Sequence, residues 1–320
     1  MFRPKPQFIP LLATTFVFVL LYVGAALRYD GFFSWYLFAS MLSGNASLAV
    51  AAIGMTFVIL SGGIDLSVGA VVAFSSIFLA KLLVVWQVPI AVAISLVLVL
   101  GIAFGSLMGV LIHAFRLPSF LVTLAGMFLA RGGALALTDE KRLNITGNAA
   151  FQWLVDWRIL DNLTLPAVVM LAGTALAIVV AGYTRFGRAV YALGGSESSA
   201  TLMGLPVART RITIYALSGL CAALGGVVHA INAQAGDSTI ATGMELDAIA
   251  AVVIGGTLLT GGVGYPVGTL LGVMILGVIS TVLNLEGTLS SWWTKIAIGG
   301  LLLVFIVLQQ VLQLTRPRRG

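Results

Sequence analysis

Asp65 is the side chain best placed to do chemistry in this sequence. It follows Gly62-Gly63 and precedes Ser67, between two apolar runs, with no basic residue nearby. A carboxylate in such a place is costly unless it is paired or wet. It either lines a solute path or, as an N-cap, satisfies the free amides at the start of the apolar run 66–86. Arg131 is the second such group. It closes the run Phe120 to Ala130 and stands before Gly132-Gly133, too deep for an interfacial anchor without snorkelling. Arg131 and Thr123 either face a polar path or bond neighbouring backbone. Asn232, Gln234, Asp237, Glu245 and Asp247 surround one loop, and Asn45 opens another apolar run. These are groups a polyhydroxylated solute would want, and equally what any water-facing loop contains.

Catalytic patterns are absent from the sequence. The lysines are Lys5, Lys81, Lys141 and Lys295, and none sits in the Gly-Lys-Ser/Thr setting that cradles ATP phosphates. Neither a His-Glu-x-x-His nor a Gly-x-Ser-x-Gly pattern occurs. His113 and His229 lie far apart, so no metal site is expected. Cys221 is the single cysteine, which excludes an internal disulfide. No catalytic residue and no bound cofactor are expected. Any ATP that drives this protein must be bound by another subunit.

The elements that position these groups must be membrane helices. Of 320 residues, 60% are hydrophobic and 9% charged, more apolar surface than a water-soluble core could hide. Apolar runs at 8–27, 45–60, 66–86, 89–112, 119–138, 164–182, 212–233, 246–260, 266–284 and 293–313 predict an all-α, polytopic single domain over 1–320, with about ten spans. The net charge of +6 gathers at the two ends and in 183–211, which is a topology signal and argues against nucleic acid as a partner. Arg3 and Lys5 at one end, and Arg316, Arg318 and Arg319 at the other, predict cytoplasmic termini. The 183–211 loop then faces the cytoplasm and 139–163 the outside. Trp35, Trp86, Trp153, Trp157, Trp292 and Trp293 all fall toward the outer interface in this topology.

Two runs, 45–60 and 246–260, are short, and each ends in glycines. Leu60-Ser-Gly-Gly-Ile-Asp-Leu-Ser-Val-Gly69 recurs at a constant offset as Leu259-Thr-Gly-Gly-Val-Gly-Tyr-Pro-Val-Gly268. Such copies predict broken helices, which must be buried in protein or line a cavity because lipid cannot satisfy their backbone. Gly101, Gly105 and Gly109 share a helix face, as do Gly268 and Gly272, and these small residues allow close helix packing.

Residues 183–211 are the longest polar, basic interruption. Arg185, Arg188, Arg209 and Arg211 oppose the one acid Glu197. Gly194-Gly195 breaks the chain, Ser196 is an N-cap, Gly204 suits a left-handed C-terminal position, and Pro206 stops continuation. The enclosed helix is about two turns long, too short to persist alone, so it needs a surface to dock on.

Thr184-Arg185-Phe186-Gly187-Arg188, Tyr191-Ala192-Leu193-Gly194-Gly195, and Ala200 with Gly204 resemble the coupling loop of the permeases of ribose- and galactose-type ATP-binding-cassette sugar importers. Ser196 stands where that family usually has asparagine, and Ser199-Ala200 replaces its Ala-Ala. Ile59 to Gly69, Pro118 to Gly132, Ala251 to Gly264 and Gly268 to Gly272 resemble further motifs of the same family. Gly287 to Gly299 is similar to the permease of galactofuranose importers. The resemblance implies a bacterial inner-membrane permease for a monosaccharide, galactofuranose in that subtype. It implies three partners: a cytoplasmic ATPase, a second permease subunit and a periplasmic sugar-binding protein. Arg185, Gly187, Arg188, Gly195, Ser196, Glu197, Ala200, Leu202 and Gly204 would then meet the ATPase. Asn45, Asp65, Ser67, Thr123, Arg131, Asn232, Gln234, Glu245 and Asp247 are candidates for the substrate path. A secondary transporter is the alternative, although Asp65 and Arg131 are sparse material for an ion-coupled one.

Overall fold

A backbone in lipid must satisfy its own hydrogen bonds, and this chain does so almost entirely with helices. In the computed structural model, residues 9–138, 141–160, 162–287 and 292–314 are described. The basic termini, Asp139, Glu140, Asp161 and part of the run 287–299 lie outside them. The order begins α1 (Ile9–Arg28), α2 (Trp35–Gly44), α3 (Ala46–Leu60), α4 (Val68–Val84), α5 (Ile90–Ala114) and α6 (Ser119–Thr138). A folded loop follows with β1 (Leu143–Asn144), α7 (Ala149–Asp156), β2 (Arg158–Ile159) and β3 (Leu163–Thr164). Then come α8 (Leu165–Tyr183), α9 (Arg185–Gly195), α10 (Glu197–Leu202) and α11 (Val207–Ala233). The chain continues with β4 (Ala235–Gly236), α12 (Met244–Ile254), α13 (Pro266–Glu286) and α14 (Trp292–Leu314).

Among the described residues six helices are long and apolar enough to cross a membrane, or seven if α2 and α3 count as one span bent by 55°. The lower number has a physical origin. Helix α3 is buried along nearly its whole length, and the helix expected over 246–260 stops at Ile254, leaving 255–264 as a long break. Such pieces sit inside the bundle and need not span lipid alone. Helix α2 lies outside the runs read from the sequence. It is tied to the folded loop, since Trp35 Nε1 donates to the Leu160 carbonyl at 3.4 Å.

Helix α11 is the mast of the bundle and packs on α3, α4 and α5. The glycine face of α5 lies on it backbone to backbone. A Cβ on Gly105 would sit 2.1 Å from the Tyr215 carbonyl oxygen, and one on Gly219 would sit 2.1 Å from that of Gly101. Gly268 and Gly272 serve likewise, where Cβ atoms would lie 2.0 Å from the Gly255 and 1.9 Å from the Ala251 carbonyl oxygens.

The loop after α6 caps one end of the bundle. β1 pairs antiparallel with β4, Leu143 opposite Gly236, and the Ile145 amide donates to the Gln234 carbonyl at 2.9 Å. Phe151 and Val155 of α7 insert into a small core with Leu79, Leu83, Val227 and Ile231. Helix α8 carries the chain from this end to 183–211 over 19 residues, about 28 Å, so the two loops occupy opposite ends.

Candidate functional site: two helix breaks and a loop that touches both

The first break begins where Gly62, at φ +81°, turns the chain after α3. The extended segment that follows has no helical partners, and side chains from α6 and α11 supply them. The amides of Ile64 and Leu66 donate to Ser119 Oγ at 3.1 Å and Thr123 Oγ1 at 3.0 Å. Asp65 is 3% exposed. Its Oδ1 accepts from the Ser67 amide at 2.9 Å and the Ser67 hydroxyl at 2.6 Å, and its Oδ2 accepts from Ser218 Oγ at 2.7 Å. No ion pair to Asp65 occurs among the described residues.

This corrects the expectation that Asp65 is the N-cap of a helix from 66. The helix starts at Val68, and Ser67 holds the cap position without a side-chain cap bond. Asp65 instead locks an Asx-type turn ahead of the helix and pins it to α11.

The second break is glycine-rich and receives help from α1. Thr14 Oγ1 donates to the Ile254 carbonyl that ends α12. Gly256, Gly261 and Gly262 all take positive φ, which only glycine adopts without strain. Pro266 at the first turn of α13 restarts the helix.

The sequence repeat becomes a contact. The Gly262 amide donates to the Leu60 carbonyl at 2.9 Å, and a Cβ on Gly261 would meet Gly62 Cα at 3.0 Å. The end of α9 is wedged onto this junction. A Cβ on Gly194 would lie 1.8 Å from the Leu60 carbonyl oxygen and 2.6 Å from the Gly262 nitrogen. Tyr191 Oη donates to the Gly264 carbonyl at 2.8 Å. Both breaks and the basic loop therefore meet at one point.

The basic loop holds two helices. Thr184 Oγ1 caps α9 by accepting from the Gly187 amide at 3.0 Å. Gly187 is buried where α9 folds back on α8, with room for no Cβ beside the Val180 and Ala181 carbonyls, both at 2.3 Å. Arg185, Arg188 and Gly195 are exposed. The caps of α10 are as read from the sequence. Ser196 Oγ accepts from the Ser199 amide at 3.2 Å, and Gly204 takes φ +73°. Leu205 N to Ala200 O at 3.1 Å and Gly204 N to Thr201 O at 3.0 Å complete a Schellman close. Ala200 is buried, while Leu202 is 88% and Met203 67% exposed. Glu197 pairs with Arg211 at 2.6 Å.

The remaining polar candidates fall into separate groups. Arg131 Nη1 donates to the carbonyls of Ser238 at 2.9 Å and Ile240 at 2.7 Å, holding the segment before α12. Glu245 stands over Gly69 of α4, where a Cβ would lie 2.4 Å from its Oε2. Asn45 sits at the α2–α3 bend, bonds the Met41 carbonyl at 2.8 Å, and packs against Gly277. Asn232 donates to the Ser43 carbonyl at 2.7 Å. Gln234 is the left-handed C-cap of α11, and Asp247 pairs with Lys295 at 2.7 Å. Thus the structure unites Asp65, Ser67 and Thr123, sets Arg131 and Glu245 about the same α12 entry, and leaves the others apart. Sequence reasoning missed Thr14, Ser119 and Ser218, and it singled out Tyr191 and Gly194 without their contacts to the second break. The only signal of those three was a hydroxyl within or beside an apolar run.

The chain matches over residues 37–307 the family described as branched-chain amino acid transport system / permease component. It is 50% identical over 305 residues to the inner membrane ABC transporter permease protein YjfF of Escherichia coli (strain K12), covering 94% of this chain and 92% of the relative. It is 39% identical to the fructose import permease protein FruG of Bifidobacterium longum (strain NCC 2705), covering 97% and 93%. The ribose import permease protein RbsC of Escherichia coli (strain K12) is 39% identical over 81% of each chain. No solved structure matches the chain at a significant level.

Proposed function

Since this chain belongs to the family of branched-chain amino acid transport system permease components, we propose that it is the membrane subunit of an ABC importer for a monosaccharide. The observation that carries the reading is the junction of Gly194 with Leu60 and Gly262. Through it a partner that moves the basic loop moves both helix breaks at once. Relatives named for ribose and fructose import favour a sugar, and the run 287–299 favours galactofuranose. ATP is hydrolysed on a separate cytoplasmic subunit seated on α10. A second permease subunit and a periplasmic sugar-binding protein complete the assembly. The chain crosses the inner membrane about ten times, the broken pieces pairing into spans, with both termini and 183–211 inside. Asp65, Ser67, Thr123, Arg131 and Glu245 border the path. Reconstituting the complex with its ATPase and binding protein tests this directly. ATPase activity stimulated by loaded binding protein is expected, and stimulation by a branched-chain amino acid with none by any sugar would overturn the substrate class.

Gly204→Trp is expected to uncouple the complex while leaving membrane insertion normal. No atom lies within 4 Å of a Cβ there, so the side chain leaves the backbone into open space. The left-handed backbone adds about 1 kcal/mol of strain. Gly204→Asn shares that strain in milder form and should retain uptake. Equal uptake in all three proteins would remove the coupling assignment.

Orientation is tested by labelling. In a Cys221→Ala background, Thr146→Cys is expected to react with an impermeant thiol reagent in intact cells, and Ser198→Cys only after permeabilisation. The reverse pattern would invert the topology.

A further inference from the structure

At the bundle end that carries 183–211, an open cavity of about 680 Å³ lies between the α5–α6 turn, α10, the foot of α11 and the first break. Three nitrogen-bearing side chains from separate elements line it: His113 near the end of α5, Arg116 in the turn, and Arg211 on α11. Arg211 is engaged by Glu197. The side chains of Arg116 and His113 have no hydrogen bond or ion pair among the described residues. Arg116 is held at φ 53° between Phe115, 68% exposed, and Leu117, 45% exposed. Large apolar side chains exposed at the end of a membrane helix face acyl chains, which sets the guanidinium between them at headgroup depth. The site therefore grades from an apolar rim, through cations, to the hydroxyls of Ser119 and Tyr215.

We propose that this cavity binds the phosphodiester of an anionic phospholipid. A phosphate supplies the acceptor oxygens that a free guanidinium fork and an imidazole lack. Basic pockets between membrane helices suit anionic headgroups. A zwitterionic headgroup would bring its own ammonium against Arg116 and Arg211. A sugar would leave the Arg116 charge unbalanced, because the cavity's one carboxylate is committed to Arg211. A phosphate that reaches Arg211 competes with Glu197 in the first turn of α10. Lipid occupancy is thereby read at α10. The proposal stands apart from the transport reading, because the cavity needs no ATPase or sugar to fill.

Native mass spectrometry of the purified full chain tests it, with phosphatidylglycerol or phosphatidylethanolamine of identical acyl chains as probes. Phosphatidylglycerol is expected to be retained in preference. Arg116→Asn, which tolerates the left-handed turn, should weaken that retention about five-fold. Arg116→Lys should restore most of it, and Arg209→Asn, at an exposed arginine of α11 outside the cavity lining, should change nothing. Thermal melts of each variant confirm the fold. Inorganic phosphate that fails to displace the lipid supports a headgroup source, and displacement by it supports the phosphate chemistry with a soluble source. Equal retention of the two lipids, indifference to Arg116→Asn, or displacement by a monosaccharide but not by phosphate would overturn the assignment.

Discussion

Gly194→Ala is expected to abolish ATP-driven uptake, while the neighbouring Gly195→Ala stays close to wild type. Both glycines end α9, and neither takes a positive φ. By helix propensity alone, alanine should favour the helix by about 1 kcal/mol at either place. What separates them is space. A methyl on Gly194 would lie 1.8 Å from the Leu60 carbonyl oxygen, whereas nothing lies within 4 Å of one on Gly195. Leu60 O is also the acceptor of the Gly262 amide, so the methyl would push apart a hydrogen bond that joins the two breaks. Overpacking of this kind costs about 1–3 kcal/mol. Here the displaced atoms are backbone, which cannot rotate away. The measurement is sugar uptake in proteoliposomes alongside membrane protein level and basal ATPase rate. Loss of uptake with near-normal protein level and ATPase identifies Gly194 as the point of force transfer. Wild-type uptake in Gly194→Ala would mean that α9 does not transmit motion to the breaks.

The parts of this junction differed in how well the sequence announced them. Gly62-Gly63 and its copy were legible because glycine pairs that interrupt short apolar runs at corresponding places mark broken helices. The caps of α10 were legible because Ser196, Gly204 and Pro206 act on residues within one turn. Helix α9 was hidden behind its own glycines. Gly194-Gly195 reads as a break, yet Gly187 and Gly194 are there so that α9 can approach the α8 carbonyls and Leu60. The α2–α3 bend was hidden for the opposite reason. Residues 35–60 are nearly continuous in apolar character, and only Asn45 marks the angle. The early end of α12 depended on Gly255-Gly256, which lie inside a run apolar enough to continue to 260. Long-range partners were the least legible. The side chains that dress the break stand at 119, 123 and 218, the first two on the amides of Ile64 and Leu66 and the third on Asp65 itself, and nothing local associates these two other helices with residues 64–66.

Those partners fix the expected behaviour of Asp65 variants: wild type transports best, Asp65→Asn retains appreciable ATP-dependent uptake, and Asp65→Leu loses nearly all of it. Asp65 accepts from the Ser67 amide and is bonded through its two oxygens to the hydroxyls of Ser67 and Ser218, so what the turn requires at this place is an acceptor facing Ser67. In asparagine the amide oxygen still accepts from Ser67, and the amide nitrogen faces Ser218, whose hydroxyl can turn to accept. The turn survives with its charge removed. Leucine leaves the Ser67 amide and two buried hydroxyls without their acceptor, at about 1–3 kcal/mol each. It also frees the break from α11. Ser218→Ala should fall between, because it unlinks one oxygen and leaves the Ser67 turn intact. A proton relay makes the opposite demand. Asparagine cannot exchange a proton, so a relay predicts that Asn is as inactive as Leu and that uptake follows the proton gradient. Uptake of each variant into vesicles, with internal ATP held constant and the gradient collapsed, separates the two. Activity that persists on collapse in the order Asp, Asn, Leu supports the turn-locking role. Activity that vanishes on collapse would overturn both that role and the ATP-driven reading, and would return the chain to the class of ion-coupled transporters.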